Sequence, residues 1–227
     1  NGETGEVTAL NASGRSGALA TPEFFAVAEL DRIPSIGPLS VSVPGAVAGW
    51  IDAHDRYGSM NFAELLSTGI DYARNGFAVS SRLAQDFEEQ GQNLNDAGRD
   101  LYLPNSNPPK VGSLLRNPQL ANSLEIVADQ GKEGFYSGSI AQKLSAFITE
   151  QGGYLRQGDF ASHTSTWVTP LRGDYLNHEF VVMPPNTQGV TQLALFEMAK
   201  SHDLASMQQN SADYLHTLVE LKKLAFA

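Results

Sequence analysis

EGFYSGSIAQKLSAFITEQGGYLRQGDFASH, residues 133–163, is the stretch on which the fold turns. A helix starts near Ser139, because Ile140, Leu144, Phe147 and Ile148 recur at helical spacing and form one apolar stripe. Gly152 and Gly153 stop it. Asp159 follows Gly158 and precedes Phe160, where a carboxylate caps a helix or holds a turn, the alternative being a catalytic carboxylate. Upstream, a helix runs from about Asn117 to Gln130 with Pro118 in its first turn. Downstream the period shortens, and Thr164–Leu171 and Glu179–Met183 alternate as paired strands around RGDYLNH.

The same reading extends to both ends. Glu6–Ala12 is a strand, and Thr21 caps a helix that Pro22 opens and that runs to about Leu30. Leu39–Val43 alternates as a short strand. A helix from Pro44 to Tyr57 stops at Gly58, a second runs from an Asn61 cap to Asn75-Gly76, and Ser80 or Ser81 caps a third. Residues 103–112, LPNSNPPKVG, are a proline-rich connection rather than a domain boundary. Asn186-Thr187-Gln188-Gly189 starts a helix through about Lys200, and the last helix begins after Ser211. This is a helix-rich α/β (α+β) chain with no internal repeat.

The formal net charge of −10 argues against nucleic acid and against an anionic membrane surface, since both select Lys/Arg patches. The absence of cysteine excludes disulfides, thiolate metal sites and a cysteine nucleophile in this chain. It leaves the compartment open between cytoplasm, periplasm and exterior. No apolar run reaches the roughly 18 residues of a membrane span.

ALNASGRSG, residues 9–17, sets one cation, Arg15, among small residues. Gly14 and Gly17 permit φ > 0 and a close backbone approach, and successive N–H groups there could form an anion-binding nest. The planar guanidinium fork suits a carboxylate. The competing reading is a solvated arginine on a surface turn. His54, His163, His178, His202 and His216 show no metal-ligand spacing. His216 and Glu220 stand four apart on the last helix, as a local contact rather than a base pair for catalysis. Asp86, Glu88 and Glu89 read as a solvated helix face, and no P-loop, nucleophile elbow or dinucleotide glycine pattern occurs. No metal or cofactor is expected.

Several separated stretches are similar, in order, to one family. They are residues 9–17, SVPGAVAGW (42–50) with AHDRYG (53–58), the stretch at 133–163, TPLRGDYLNHEFVVMPPNTQGVTQLALFEM (169–198) and LVELKKLAFA (218–227). Together they resemble the gamma-glutamyltranspeptidase family, which includes cephalosporin acylase-like members. The resemblance implies an N-terminal-nucleophile hydrolase with an αββα sandwich, cleaved from one precursor into a large and a small subunit. It implies that residues 1–227 are an internal portion of the large subunit and that the small subunit is the partner. The nucleophile is then the small subunit's N-terminal Thr, so no catalytic residue is expected here and this piece alone is expected to be inactive. The substrate class implied is a γ-glutamyl amide such as glutathione, with an acylase-like amidase, or a non-catalytic relative that binds acidic small molecules, as alternatives.

The resemblance also exposes a departure. In register, Ser13 stands where the family's glutamate-binding arginine is expected, and Arg15 stands two residues later. ASGR here resembles the GSGR-type members, which favours hydrolysis over transpeptidation. Arg15 and Ser13 are the candidate substrate-binding residues.

Overall fold

A computed structural model describes residues 1–27 and 30–227. In chain order, strand β1 (Ala9–Asn11) is followed by helices α1 (Pro22–Val27), α2 (Ala46–Tyr57) and α3 (Phe62–Asn75). Strand β2 (Phe77–Ala78), helices α4 (Ser81–Gln90) and α5 (Asp96–Tyr102) and strand β3 (Leu114–Leu115) come next. Then follow α6 (Pro118–Tyr136), α7 (Ser139–Glu150), α8 (Gln157–Ala161), β4 (Thr166–Val168), β5 (Leu171–Tyr175), β6 (His178–Val182), α9 (Gly189–Ala199) and α10 (Ala212–Ala225). The mixed helix–strand class is as expected. The strands described form three two-stranded antiparallel ladders, β1 with β4, β2 with β3 and β5 with β6.

The caps explain why most helices begin where the sequence puts them. The Asn61 side chain accepts from the N–H groups of Ala63 and Glu64, and the hydroxyls of Ser80 and Ser211 accept from Leu83 and Tyr214. Gly76 ends α3 at φ +98°, a conformation costly for any residue with a Cβ. Helix α1 starts at Pro22 as expected; the expected extension to Leu30 crosses Ala28 and Glu29, which lie outside the described residues. Helix α6 outruns its expected end at Gln130, because Gly131 takes φ +59° and lets the chain resume helical turns to Tyr136.

Two expected strands are corrected. Leu39–Val43 forms a 3-10 turn, Pro38–Ser40, and then extended chain without a ladder. The Val41 carbonyl is satisfied otherwise, by the Tyr154 hydroxyl (2.9 Å), and the Tyr136 hydroxyl donates to Pro44 just past the segment (2.7 Å). The expected partner of Glu179–Met183 is not Thr164–Leu171. Pro170 interrupts that run, so Thr166–Val168 pairs with Ala9–Asn11 while Leu171–Tyr175 closes the hairpin with His178–Val182.

The chain divides into two compact units, Gly14–His163 and Asn1–Ser13 with Thr164–Ala227. In the larger, α3 packs along α6, which also meets α2 and α7. Seven of the eleven buried residues of its central cluster come from residues 133–163. Phe160 and Leu155 are fully buried, and Tyr136 and Tyr154 anchor the 41–48 segment through their hydroxyls. On α7, Ile140, Ala141, Ser145 and Ile148 are the buried face. Phe147, expected on that stripe, lies at its edge and is 40% exposed. In the smaller unit α9 covers the β5–β6 hairpin, with Phe196 stacked on Tyr175 and against Phe180, and α10 packs on α9.

Candidate functional site

Within the larger unit the segment from Gly14 to Ala18 is held at both ends by the polypeptide itself. The Val43 N–H donates to the Arg15 carbonyl (3.0 Å), and Gly14 lies so close that a Cβ there would sit 1.6 Å from the Val43 carbonyl oxygen. At the other end the Ala18 N–H donates to Asp159 Oδ1 (2.8 Å). Gly17 is buried there, with a Cβ position 2.8 Å from Asp159 Oδ2 and 3.0 Å from both Leu155 and Tyr154. The glycines serve close approach. No residue from Ala9 to Gly17 has a positive φ, so the alternating backbone that a nest of N–H groups requires is not formed.

Arg15 is exposed, and its guanidinium has no hydrogen-bond or ion-pair partner among the described residues. Five donors are thus presented on a loop whose backbone is fixed at the arginine's own carbonyl. Asp159 takes the expected structural role in more detail than the sequence offered. It is the third residue of α8, its Oδ2 accepts from the Arg156 N–H (2.7 Å), and its Oδ1 holds the Arg15 segment.

Ser13 belongs to the smaller unit, one residue before the chain passes into the larger. Its N–H donates to Asn11 Oδ1 (3.0 Å), and its hydroxyl accepts from Asn186 Nδ2 (2.6 Å). Asn186 also donates to Asn11 Oδ1 (3.0 Å). In the sequence Asn186 marks only the start of the helix that Asn186-Thr187-Gln188-Gly189 opens.

His163, one of five histidines without ligand spacing, stands out only in the structure. Both ring nitrogens are buried and without a hydrogen-bond partner among the described residues, and the ring stacks on Tyr136 (5.2 Å between centroids). Burial first, and then the Arg15 charge, hold the ring below the ordinary histidine value, with Lys132 acting in the same sense and Asp52 opposing. The unfolded chain therefore takes up the proton first on acidification. Stability is full above the ordinary value near 6.5 and is lost as pH falls from there toward the native value. His163→Phe keeps the stack and removes the titration. The urea midpoint should fall less between pH 7.5 and 5.5 in H163F than in the parent protein; equal falls would remove His163 from the account.

The remaining candidates are structural. Glu220 pairs with Lys223 (2.8 Å), which holds its carboxyl below the usual range, with His216 a lesser influence. Arg82 bridges to Asp86 and Gln85 to Glu89 along α4. Ser201 and His202 touch (3.0 Å), but the Ser201 hydroxyl donates to the Met198 carbonyl (2.7 Å) and closes the end of α9. Among the described residues no cluster of metal-ligating side chains is found, and no helix is long and apolar enough to cross a membrane.

A family model described as gamma-glutamyltranspeptidase matches residues 1–227. The chain is 30% identical over 226 residues to a glutathione hydrolase-like YwrD proenzyme of Bacillus subtilis (strain 168), covering 99% of this chain and 43% of that protein. It is 30% identical to a glutathione hydrolase proenzyme of Escherichia coli (strain K12), covering 83% of this chain and 33% of that protein. The crystal structure of a cephalosporin acylase from Bacillus halodurans superposes with a TM-score of 0.90 at 30% identity, over 98% of this chain and 43% of that one. The chain thus spans less than half the length of these relatives.

Proposed function

The chain belongs to the gamma-glutamyltranspeptidase family, and on that premise we propose that it is the internal, large-subunit portion of an amidohydrolase that cleaves γ-glutamyl amides such as glutathione. The observation that carries the substrate class is Arg15: an uncommitted guanidinium on a backbone held by Val43 and Asp159. Its fork takes a substrate carboxylate and orients the acyl group; Ser13, within the smaller unit, stands as a separate candidate contact. The reaction is attack on the amide carbonyl, an acyl-enzyme, and release by water. The nucleophile is the Thr exposed at the start of a small subunit when the precursor is cut, with its own amine as base.

A second reading, an acylase-like amidase acting on a different carboxylate-bearing acyl group, is supported by the similarity to the Bacillus halodurans cephalosporin acylase. Expression of the full-length gene tests both. Cleavage to a Thr-led smaller chain with hydrolysis of glutathione supports the first. Cleavage with activity confined to glutaryl-cephalosporin-type amides supports the second. An uncut protein inert to both overturns the enzyme reading and leaves a binding relative.

Arg15→Ala should raise KM for the carboxylate-bearing substrate by roughly 10- to 100-fold, the equivalent of losing a charge-assisted pair, with kcat little changed. Arg15→Lys should fall between, since it keeps the charge and loses the planar fork. An unchanged KM in steady-state assays would return Arg15 to the ordinary surface.

A further inference from the structure

We infer that Asn186 is a positioning residue for substrate recognition, because its side-chain amide fixes the Ser13 hydroxyl as a hydrogen-bond donor toward a substrate carboxylate. This rests on the amidohydrolase reading above and extends it to a residue outside the loop. The orientation of the amide follows from its neighbours. Asn11 Oδ1 is committed as an acceptor, since it takes the Ser13 N–H at 3.0 Å. Asn186, 3.0 Å from that same oxygen, must therefore present its NH2 group there; the flipped amide would oppose two acceptors. The second hydrogen of that NH2 group reaches Ser13 Oγ at 2.6 Å. The Ser13 oxygen is thus an acceptor, and its own hydrogen has no acceptor among the described residues. An exposed hydroxyl in that state keeps its donor and one acceptor lone pair, and the donor is what an anion takes.

The corner that carries Asn186 is rigid. The Thr187 N–H closes a turn onto the Pro184 carbonyl (3.2 Å), and the Thr187 hydroxyl accepts from the Gly189 N–H (3.3 Å). Gly189 packs so tightly on the end of β6 that a Cβ there would lie 2.7 Å from the Met183 carbonyl. The two prolines before Asn186 restrict the backbone further. Ser13 is held in turn by β1, which pairs with β4 up to Asn11. Two stiff elements meet at one amide, which is what a positioning contact requires.

The test uses protein expressed from the full-length gene, with glutathione, with the same peptide bearing a carboxamide in place of the glutamyl α-carboxylate, and with L-glutamate in calorimetry. Asn186→Asp puts an acceptor where the donor was, so the Ser13 hydrogen is drawn inward and away from substrate. KM for glutathione should rise about tenfold, with kcat within about twofold and little change for the carboxamide. Asn186→Ala removes the amide without adding an acceptor and should give a smaller rise with the same split. On a Ser13→Ala background N186D should add nothing. A role confined to folding would move both substrates together, and that result, or an unchanged KM, overturns the inference while hydrolysis stands. A parent protein that neither hydrolyses glutathione nor binds L-glutamate overturns the inference together with the reading beneath it.

Discussion

Gly14→Ala is expected to destabilise the protein by about 3 kcal/mol, lowering Tm by roughly 6–12 °C. The added methyl would stand 1.6 Å from the Val43 carbonyl oxygen and 2.7 Å from its carbon. Both are backbone atoms, so no side chain can rotate away. Either the 41–44 segment shifts or the Gly14–Ala18 segment lifts off it. The first breaks the hydroxyl contacts that Tyr154 and Tyr136 make to Val41 and Pro44; the second breaks the Val43–Arg15 hydrogen bond. A hydrogen bond of that kind is worth about 1 kcal/mol and the forced displacement about 1–3 kcal/mol more. Arg15 moves in the second case, so KM for a carboxylate-bearing substrate should rise with the loss of stability. Gly17→Ala should be milder, because its close neighbours are side-chain atoms of Asp159, Leu155 and Tyr154 at 2.8–3.0 Å. Thermal melts of the two variants check the order. Equal, small shifts would show that the 1.6 Å contact relaxes without cost.

What made the framework legible was local chemistry. Asn61, Ser80, Ser211 and Pro118 mark helix starts because caps and first-turn prolines act within three residues of themselves. The 133–163 stretch was legible for the same reason, and its residues became most of the larger unit's core. The failures are non-local. Whether Leu39–Val43 is a strand depends on a partner, and a tyrosine hydroxyl 113 residues away took the Val41 carbonyl instead. Which strand pairs with Glu179–Met183 depends on what Pro170 interrupts, and the hairpin then turns through Leu176 at φ +52°, a conformation costly to a side chain of that kind. At the site, Arg15 and the two glycines could be seen in sequence. Val43, Asp159 and Asn186 could not be tied to them, since each reaches the loop across 28, 141 or 173 residues of chain.

Asp159→Ala is the second large effect, and it attacks the other end of the same segment. One carboxylate holds two backbone N–H groups, Arg156 at 2.7 Å and Ala18 at 2.8 Å, and they belong to different parts of the chain. Removing it opens the first turn of α8, which leads straight into fully buried Phe160, and it frees Ala18. Hydrogen bonds to a charged acceptor are worth about 1.5–3 kcal/mol each, less where water can replace them; together the loss should be about 2–4 kcal/mol, or roughly 4–16 °C in Tm. Asp159→Asn keeps one carbonyl oxygen and loses the other acceptor, so it can satisfy Arg156 or Ala18 but not both, and its Tm should lie between. The kinetic consequence separates clamp from catalyst. A clamp that orders the Arg15 segment raises KM for carboxylate-bearing substrates and leaves kcat nearly intact in D159N, whereas a catalytic acid would lose kcat by orders of magnitude. A Tm within about 1 °C of the parent for D159A would be too small for either hydrogen bond to matter. The segment would then owe its position to Val43 alone.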